Sequence, residues 1–131
     1  MTAYTPASLY DQLGGATAVA RLTDRFYELM DTLPQAAAVR AMHPGDLRTS
    51  RDKLYEFLCG WLGGPPLYEQ KYGHPRLRAR HLPFAIDEAA RDQWLLCMRQ
   101  AIAEQDWNED LKTRLANALA RTADFMRNQP A

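Results

Sequence analysis

Gly63-Gly64-Pro65-Pro66-Leu67-Tyr68 leads, three residues later, into Tyr72-Gly73-His74-Pro75-Arg76-Leu77-Arg78-Ala79-Arg80-His81-Leu82-Pro83-Phe84. The reading of this stretch decides the fold. It holds two of the three histidines, four of the eight prolines and three of the seven glycines of the chain. Gly63-Gly64-Pro65-Pro66 cannot continue a helix, because proline lacks the N–H and glycine loses most entropy there. His74-Pro75 then opens a short helix that Pro83 ends, so His81 falls near its C-terminal end. The whole stretch reads as a flexible strap between helices.

Outward from the strap the pattern is helical on both sides. Upstream, positions 47–62 carry Leu47, Leu54, Phe57, Leu58, Trp61 and Leu62 at helical spacing, with Asp46 as N-cap. Before them, Pro34 opens an alanine-rich piece ending at His43-Pro44-Gly45, where the proline forces a corner at His43. Residues 16–32 form a longer helix with Val19, Leu22, Phe26 and Met30 on one face and Tyr27 on its flank. Ser8 caps a short helix that Gly14-Gly15 stops. Downstream, Asp87 caps a helix to about Glu104 with Trp94, Cys97, Met98, Ala101 and Ile102 inward. Asp106 or Asn108 opens the last helix, with Leu111, Leu115, Leu119, Phe125 and Met126 on one face. Six or seven helices and no strand pattern give an all-α fold. A length of 131 residues suits one domain over 1–131, with 1–6 and 129–131 as flexible tails.

Basic and acidic residues balance at 16 each, which speaks against a nucleic-acid surface. No run is long and apolar enough for a membrane span, and the N-terminus has no secretory pattern. Cys59 and Cys97 lie apart in apolar helical patterns, as reduced buried thiols do. The expectation is a cytoplasmic protein.

Chemistry converges on the histidines. His74 and His81 are seven apart with no cysteine near, which is not a zinc spacing. Phosphate-loop, dinucleotide and nucleophile-elbow motifs are absent. His81 is followed by Leu82, Pro83, Phe84 and Ile86, an apolar wall beside one imidazole. One axial imidazole in an apolar volume is what a haem iron requires, with cations at the propionate edge. Tyr68, His74, Arg78 and Arg80 are at hand for that edge. From the residues alone, His81 is either such a ligand or a hydrogen-bonded core histidine.

The chain is similar to the group II truncated haemoglobins. The resemblance rests on Gly63-Gly64-Pro65, Tyr68, Gly73-His74-Pro75, Leu77-Arg78, Arg80-His81, Pro83-Phe84 and Ile86. It continues through Arg91-Asp92, Trp94-Leu95 and Cys97-Met98, with Leu9-Tyr10-Asp11, Leu13-Gly14-Gly15 and Arg25-Phe26-Tyr27 upstream. It spans Ser8 to Asn128. It implies a two-on-two helical sandwich around haem b (iron protoporphyrin IX), with His81 as the iron ligand. Tyr27 and Trp94 would hydrogen-bond a distal ligand, and Ser50 and Leu54 would line the distal pocket. Phe26, Phe57, Leu58, Phe84, Ile86 and Met98 would pack on the porphyrin. Arg80, with Tyr68 and His74, would hold its propionates. The corner residue is often Tyr or Phe in the family; here His43 stands there and adds a third distal polar group.

The implied activity is binding of O2, NO, CO or another diatomic, by a monomer or a homodimer. The alternative is a haem enzyme for NO dioxygenation or peroxide reduction. That would need an external reductase, since no flavin or nicotinamide motif is present.

Overall fold

The computed structural model describes residues 7–129. The expected tails at 1–6 and 130–131 lie outside the described residues, whereas Gln129 donates its N–H to the Ile86 carbonyl at 3.2 Å and is held. The described residues form α1 (Leu9–Leu13), α2 (Gly15–Thr32), a 3-10 turn (Pro34–Ala36), α3 (Ala37–Ala41), α4 (Arg48–Trp61), α5 (Leu67–Tyr72), α6 (Leu77–His81), α7 (Glu88–Ala103) and α8 (Glu109–Phe125). No strand occurs among them.

The caps are local and legible. Ser8 Oγ accepts from the Asp11 N–H, Asp87 from Ala90 and Asn108 from Leu111, each satisfying an orphan first-turn donor. Asp46 sits one residue outside the N-cap position of α4, yet its carboxylate still accepts the Arg48 N–H at 2.9 Å. Gly14 ends α1 and opens α2 at φ 116°, a left-handed geometry that costs other residues strain.

Four long helices make the frame. α2 packs on α4 and on α7, and α7 packs on α8, giving a two-on-two sandwich. Its core is continuous: Leu22, Phe26 and Met30 of α2, Leu58 and Cys59 of α4, Cys97, Met98 and Ile102 of α7, and Leu115 of α8. Both cysteines are buried and unpaired. Thr23, a buried polar residue of α2, bonds back to the Val19 carbonyl at 2.7 Å.

Two expectations change. The strap is not continuous coil, because Leu67–Tyr72 forms α5 directly after Pro66. Proline at 65 and 66 stops α4 but permits a new helix after it, since the first helical N–H groups are unbonded anyway. α5 then packs on α4 and buries Tyr68. In α8, Phe125 is not on the buried face; it is 64% exposed, and Met126 takes the inward position.

Gly63 and Gly64 have a packing reason beyond ending α4. A Cβ on Gly64 would lie 2.6 Å from the Tyr10 ring, and one on Gly63 2.8 Å from Ser8 Cβ. The start of α1 therefore rests directly on this backbone, joined by the Tyr10 N–H to Leu62 carbonyl bond at 3.0 Å. Gly64→Ala is expected to destabilise the protein by about 1–3 kcal/mol through overpacking. Gly45→Ala, with nothing within 4 Å of its added Cβ, is the control; equal denaturation midpoints for the two variants would refute the contact.

Candidate functional site

A cavity of about 530 Å3 opens between α4, α6, α7 and α8. α2 contributes Tyr27, α3 and the corner after it contribute Val39, Met42, His43 and Pro44, and α4 contributes Ser50, Lys53, Leu54, Phe57 and Leu58. Tyr68, Leu77, Arg80 and His81 come from α5 and α6, with Phe84 and Ile86 just after. Ala90, Arg91 and Trp94 of α7, with Leu119, Thr122, Ala123 and Met126 at the end of the chain, complete the wall. The lining is mostly apolar, with a few convergent polar groups, as binding cavities are.

His81 is the last residue of α6. Its Nδ1 lies 2.6 Å from the Leu77 carbonyl, four residues back. A carbonyl can only accept, so in the neutral ring Nδ1 carries the proton and Nε2 keeps a free lone pair. This is the tautomer that a metal-ligating imidazole needs, already fixed and oriented by the helix itself. No cluster of three or more metal-ligating side chains occurs among the described residues, so the site offers no cage of ligands.

Three further polar groups share the cavity lining. Tyr27 is 8% exposed, and burial raises its phenol pKa strongly, so the hydroxyl stays protonated. That hydroxyl donates to the Ser50 carbonyl over a long 3.3 Å. His43 lies with its ring centroid 6.0 Å from that of Tyr27. Its Nδ1 is 2.9 Å from the Val39 carbonyl, so in the neutral ring Nε2 is an acceptor and not a donor. Trp94 packs on Phe26 at 5.0 Å between ring centroids. Its indole N–H can only donate, and among the described residues no protein acceptor takes it.

The His43 corner has a support that the pattern did not disclose. Arg40 bonds the Pro44 and Gly45 carbonyls at 2.9 Å each while its Nε pairs with Asp31. A planar guanidinium with five donors suits this triple role.

Nine of the expected porphyrin and edge residues meet in the cavity: Ser50, Leu54, Phe57, Leu58, Tyr68, Arg80, His81, Phe84 and Ile86. Four others do not. Phe26 and Met98 are fully buried in the core behind the wall; Phe26 acts at one remove, by backing Tyr27 and Trp94. His74 and Arg78 line a second, wider groove of about 850 Å3, which meets the first along Phe57, Tyr68, Leu77, Thr122 and Met126. His74 is exposed, and its Nδ1 accepts the Arg76 N–H at 3.1 Å. Arg78 is turned away, with Nη1 donating to the Phe125 and Arg127 carbonyls. The larger groove contains neither His81 nor the facing polar groups, so the smaller cavity is the site.

Sequence reasoning missed Lys53 and Arg91 at the rim and the α8 wall. Lys53 lies three residues after Ser50, on the same helical face, and that spacing was the available signal. It carries no carboxylate partner among the described residues and stands over the Tyr72 ring at 5.4 Å. Arg91 is already occupied by Asp92, Asp124 and Glu88. Leu119, Thr122, Ala123 and Met126 follow an i, i+3, i+4, i+7 stripe, which reads equally well as core.

A family model described as bacterial-like globin matches residues 8–128. The chain belongs to that family. Within it the relatives are group II truncated haemoglobins. A group II two-on-two haemoglobin from Agrobacterium tumefaciens is 50% identical, with a TM-score of 0.92 over 98% of this chain and 99% of that one. A group 2 truncated haemoglobin of Bacillus subtilis is 39% identical over 88% of this chain and 85% of its own length. A structure described as a truncated oxygen-avid haemoglobin from Bacillus subtilis aligns with a TM-score of 0.84 and 37% identity, covering 93% of this globin and 100% of that chain. Globins bind haem and small gaseous ligands, and the cavity fits that group. Its walls are mostly apolar, the His81 and His43 imidazoles each keep Nε2 unbonded, and Arg80, Tyr68 and Lys53 are among its polar lining. No helix is long and apolar enough to cross a membrane.

Burial holds the His43 imidazole below its ordinary pKa; the Val39 bond opposes this, and the charges of Arg40 and His81 add to it. The folded protein therefore binds fewer protons at His43 than the unfolded chain does. The stability this residue contributes is full above about pH 6.5, the ordinary histidine value, and is lost as pH falls through the lower folded value. An NMR titration of the haem-free globin is expected to give His43 a midpoint below about 6.5. His43→Gln should flatten the acid-side loss of stability. A midpoint at or above the ordinary value contradicts the burial argument.

Proposed function

We propose that the cavity takes haem b, that His81 ligates the iron through Nε2, and that a diatomic such as O2 is held on the side facing Tyr27, His43 and Trp94. The observation that carries this reading is the 2.6 Å contact from His81 Nδ1 to the Leu77 carbonyl, which leaves Nε2 bare in an apolar cavity. Haem iron, when bound, supplies the open coordination position at which a diatomic binds.

The chain's own groups then divide the work. His81 holds the group from one side, and its ring cannot spin while Nδ1 stays on the Leu77 carbonyl. Arg80 keeps Nε on the Pro75 carbonyl and its guanidinium over the Tyr68 ring, leaving its terminal N–H groups for a carboxylate at the rim. Lys53 can serve a second carboxylate from α4. Apolar side chains exclude water, so each remaining hydrogen bond counts for more.

On the facing side the donors are unequal. Trp94 has a proton with no protein acceptor, so it is the principal donor to a polarised diatomic. Tyr27 has one proton and a 3.3 Å bond to Ser50 to give up first. Neutral His43 offers only a lone pair, suited to accepting a hydrogen bond from the Tyr27 hydroxyl if that bond is exchanged. O2 gains most from such donors because it draws charge when bound, and the oxygen-avid description of a Bacillus subtilis relative supports it as a ligand.

A neutral hydrogen bond adds about 0.5–1.5 kcal/mol net, which is about two- to twelvefold in affinity. Trp94→Leu should therefore speed O2 release by about that factor in rapid-mixing measurements; unchanged kinetics would remove Trp94 from the role. His81→Ala should abolish the histidine-ligated absorption spectrum of the reconstituted protein. A normal spectrum in that variant sinks the ligand assignment.

A further inference from the structure

α6 has little to hold it down. It is five residues long and buries none of them, while each of the four long helices buries at least three. Packing therefore does not fix its tilt. Its neighbours in sequence do not fix it either: Arg76 precedes it at φ 46°, and exposed Leu82 and Pro83 follow.

What holds it comes from the last residue of α8 and the segment after it. Met126, 8% exposed, seats the start of that segment. Arg78 Nη1 donates to the Phe125 carbonyl at 2.7 Å and the Arg127 carbonyl at 3.0 Å. The Asn128 side chain then makes three bonds to residues 81–86. Its Nδ2 donates to the Phe84 carbonyl at 2.9 Å and the His81 carbonyl at 3.3 Å, and its Oδ1 accepts the Ile86 N–H at 2.9 Å. The Asn128 and Gln129 N–H groups both reach the Ile86 carbonyl, at 2.9 and 3.2 Å. One amide thus ties the residue that bears the imidazole to two residues of the apolar wall.

We propose that Asn128 is a positioning residue, the clamp that sets the tilt of α6 and with it the placement of the His81 imidazole in the cavity. The mechanical reason is the Leu77 bond. It locks the ring to its own helix, so ring and helix move as one body. The orientation of the ring relative to the cavity is then the orientation of α6, and the Asn128 bonds connect α6 and its following loop to the frame. The task selects an amide: a carboxylate can accept from Ile86 but cannot donate to two carbonyls, and a hydroxyl has one proton for two acceptors.

This rests on the reading of His81 as iron ligand, and the test separates the two. The haem-loaded full chain is compared with Asn128→Ala and Asn128→Asp by the iron–histidine stretching band of the ferrous form and by haem transfer to excess haem-free myoglobin. In both variants the band is expected to shift and broaden, and haem transfer to quicken by about tenfold, the scale of one to two lost hydrogen bonds. Amide exchange at residues 78–82 should quicken while that of α2 and α7 stays as it was.

If both variants keep the wild-type band and transfer rate, the clamp is refuted. A lowered melting temperature with an unmoved band also refutes it, since that is what a merely structural tie would give. A wild-type band in Asn128→Asp alone refutes the donor role, and that variant carries the test if Asn128→Ala does not fold. Failure of the ligand reading is recognised separately, by a normal histidine-ligated spectrum in His81→Ala.

Discussion

An apolar cavity of about 530 Å3 inside a chain of this size has to be kept open against the tendency of its walls to collapse. The rest of the structure answers that constraint. α2, α4, α7 and α8 bury one face against each other, forming a core that does not need the cavity in order to close. Phe26, Met98 and Cys97 are fully buried in that core, and Phe26 braces Tyr27 and Trp94 of the cavity wall. The elements on the other side, α5, α6 and the turn after α6, are short and tied down by polar contacts. Rigid frame and light wall are a division of labour: the frame carries the stability, and the wall carries the imidazole.

Much of this was legible in the sequence because it is local. Ser8, Asp87 and Asn108 cap helices by side-chain chemistry that acts within three residues. Apolar spacing gave the long helices and their inward faces. The imidazole at 81 and the wall that follows it also read directly, since they are neighbours along the chain. What did not read depends on distant parts of the chain. Arg78 looked like a propionate ligand because it stands near Arg80 in sequence. Two residues along a helix is about 200° around it, so the two guanidiniums leave on opposite sides. Phe125 looked like core because it adjoins Met126. The helix ends there, and only one of the pair can face inward. α5 was hidden by the prolines ahead of it. Arg40 and Asn128 gave no signal at all, since a hydrogen bond to a distant backbone carbonyl leaves no trace in a pattern of side chains.

The polar side of the cavity shows how little a list of residue types says about function. Tyr27, His43 and Trp94 look like three donors. In the structure one proton is already on Ser50, one imidazole is bonded through Nδ1 to Val39 and offers only an acceptor, and one indole is free. The direction of each hydrogen bond, and not the count of polar groups, determines which donors and acceptors the cavity offers. His43 is the group in this set whose role changes with pH, because protonation would turn its lone pair into a donor.

The close seating of Ser8 and Tyr10 on Gly63 and Gly64 acquires a different meaning beside the residues that follow α8. One end of the described chain rests on the start of the segment that carries the imidazole, and the other end rests on its finish at Ile86. The two extremities bracket a central segment in which α5 packs on α4 but α6 buries none of its own residues. Tension or crowding applied at either extremity, by a fused domain or a surface attachment, would therefore reach the His81 imidazole by a short mechanical route, without first disturbing the bundle.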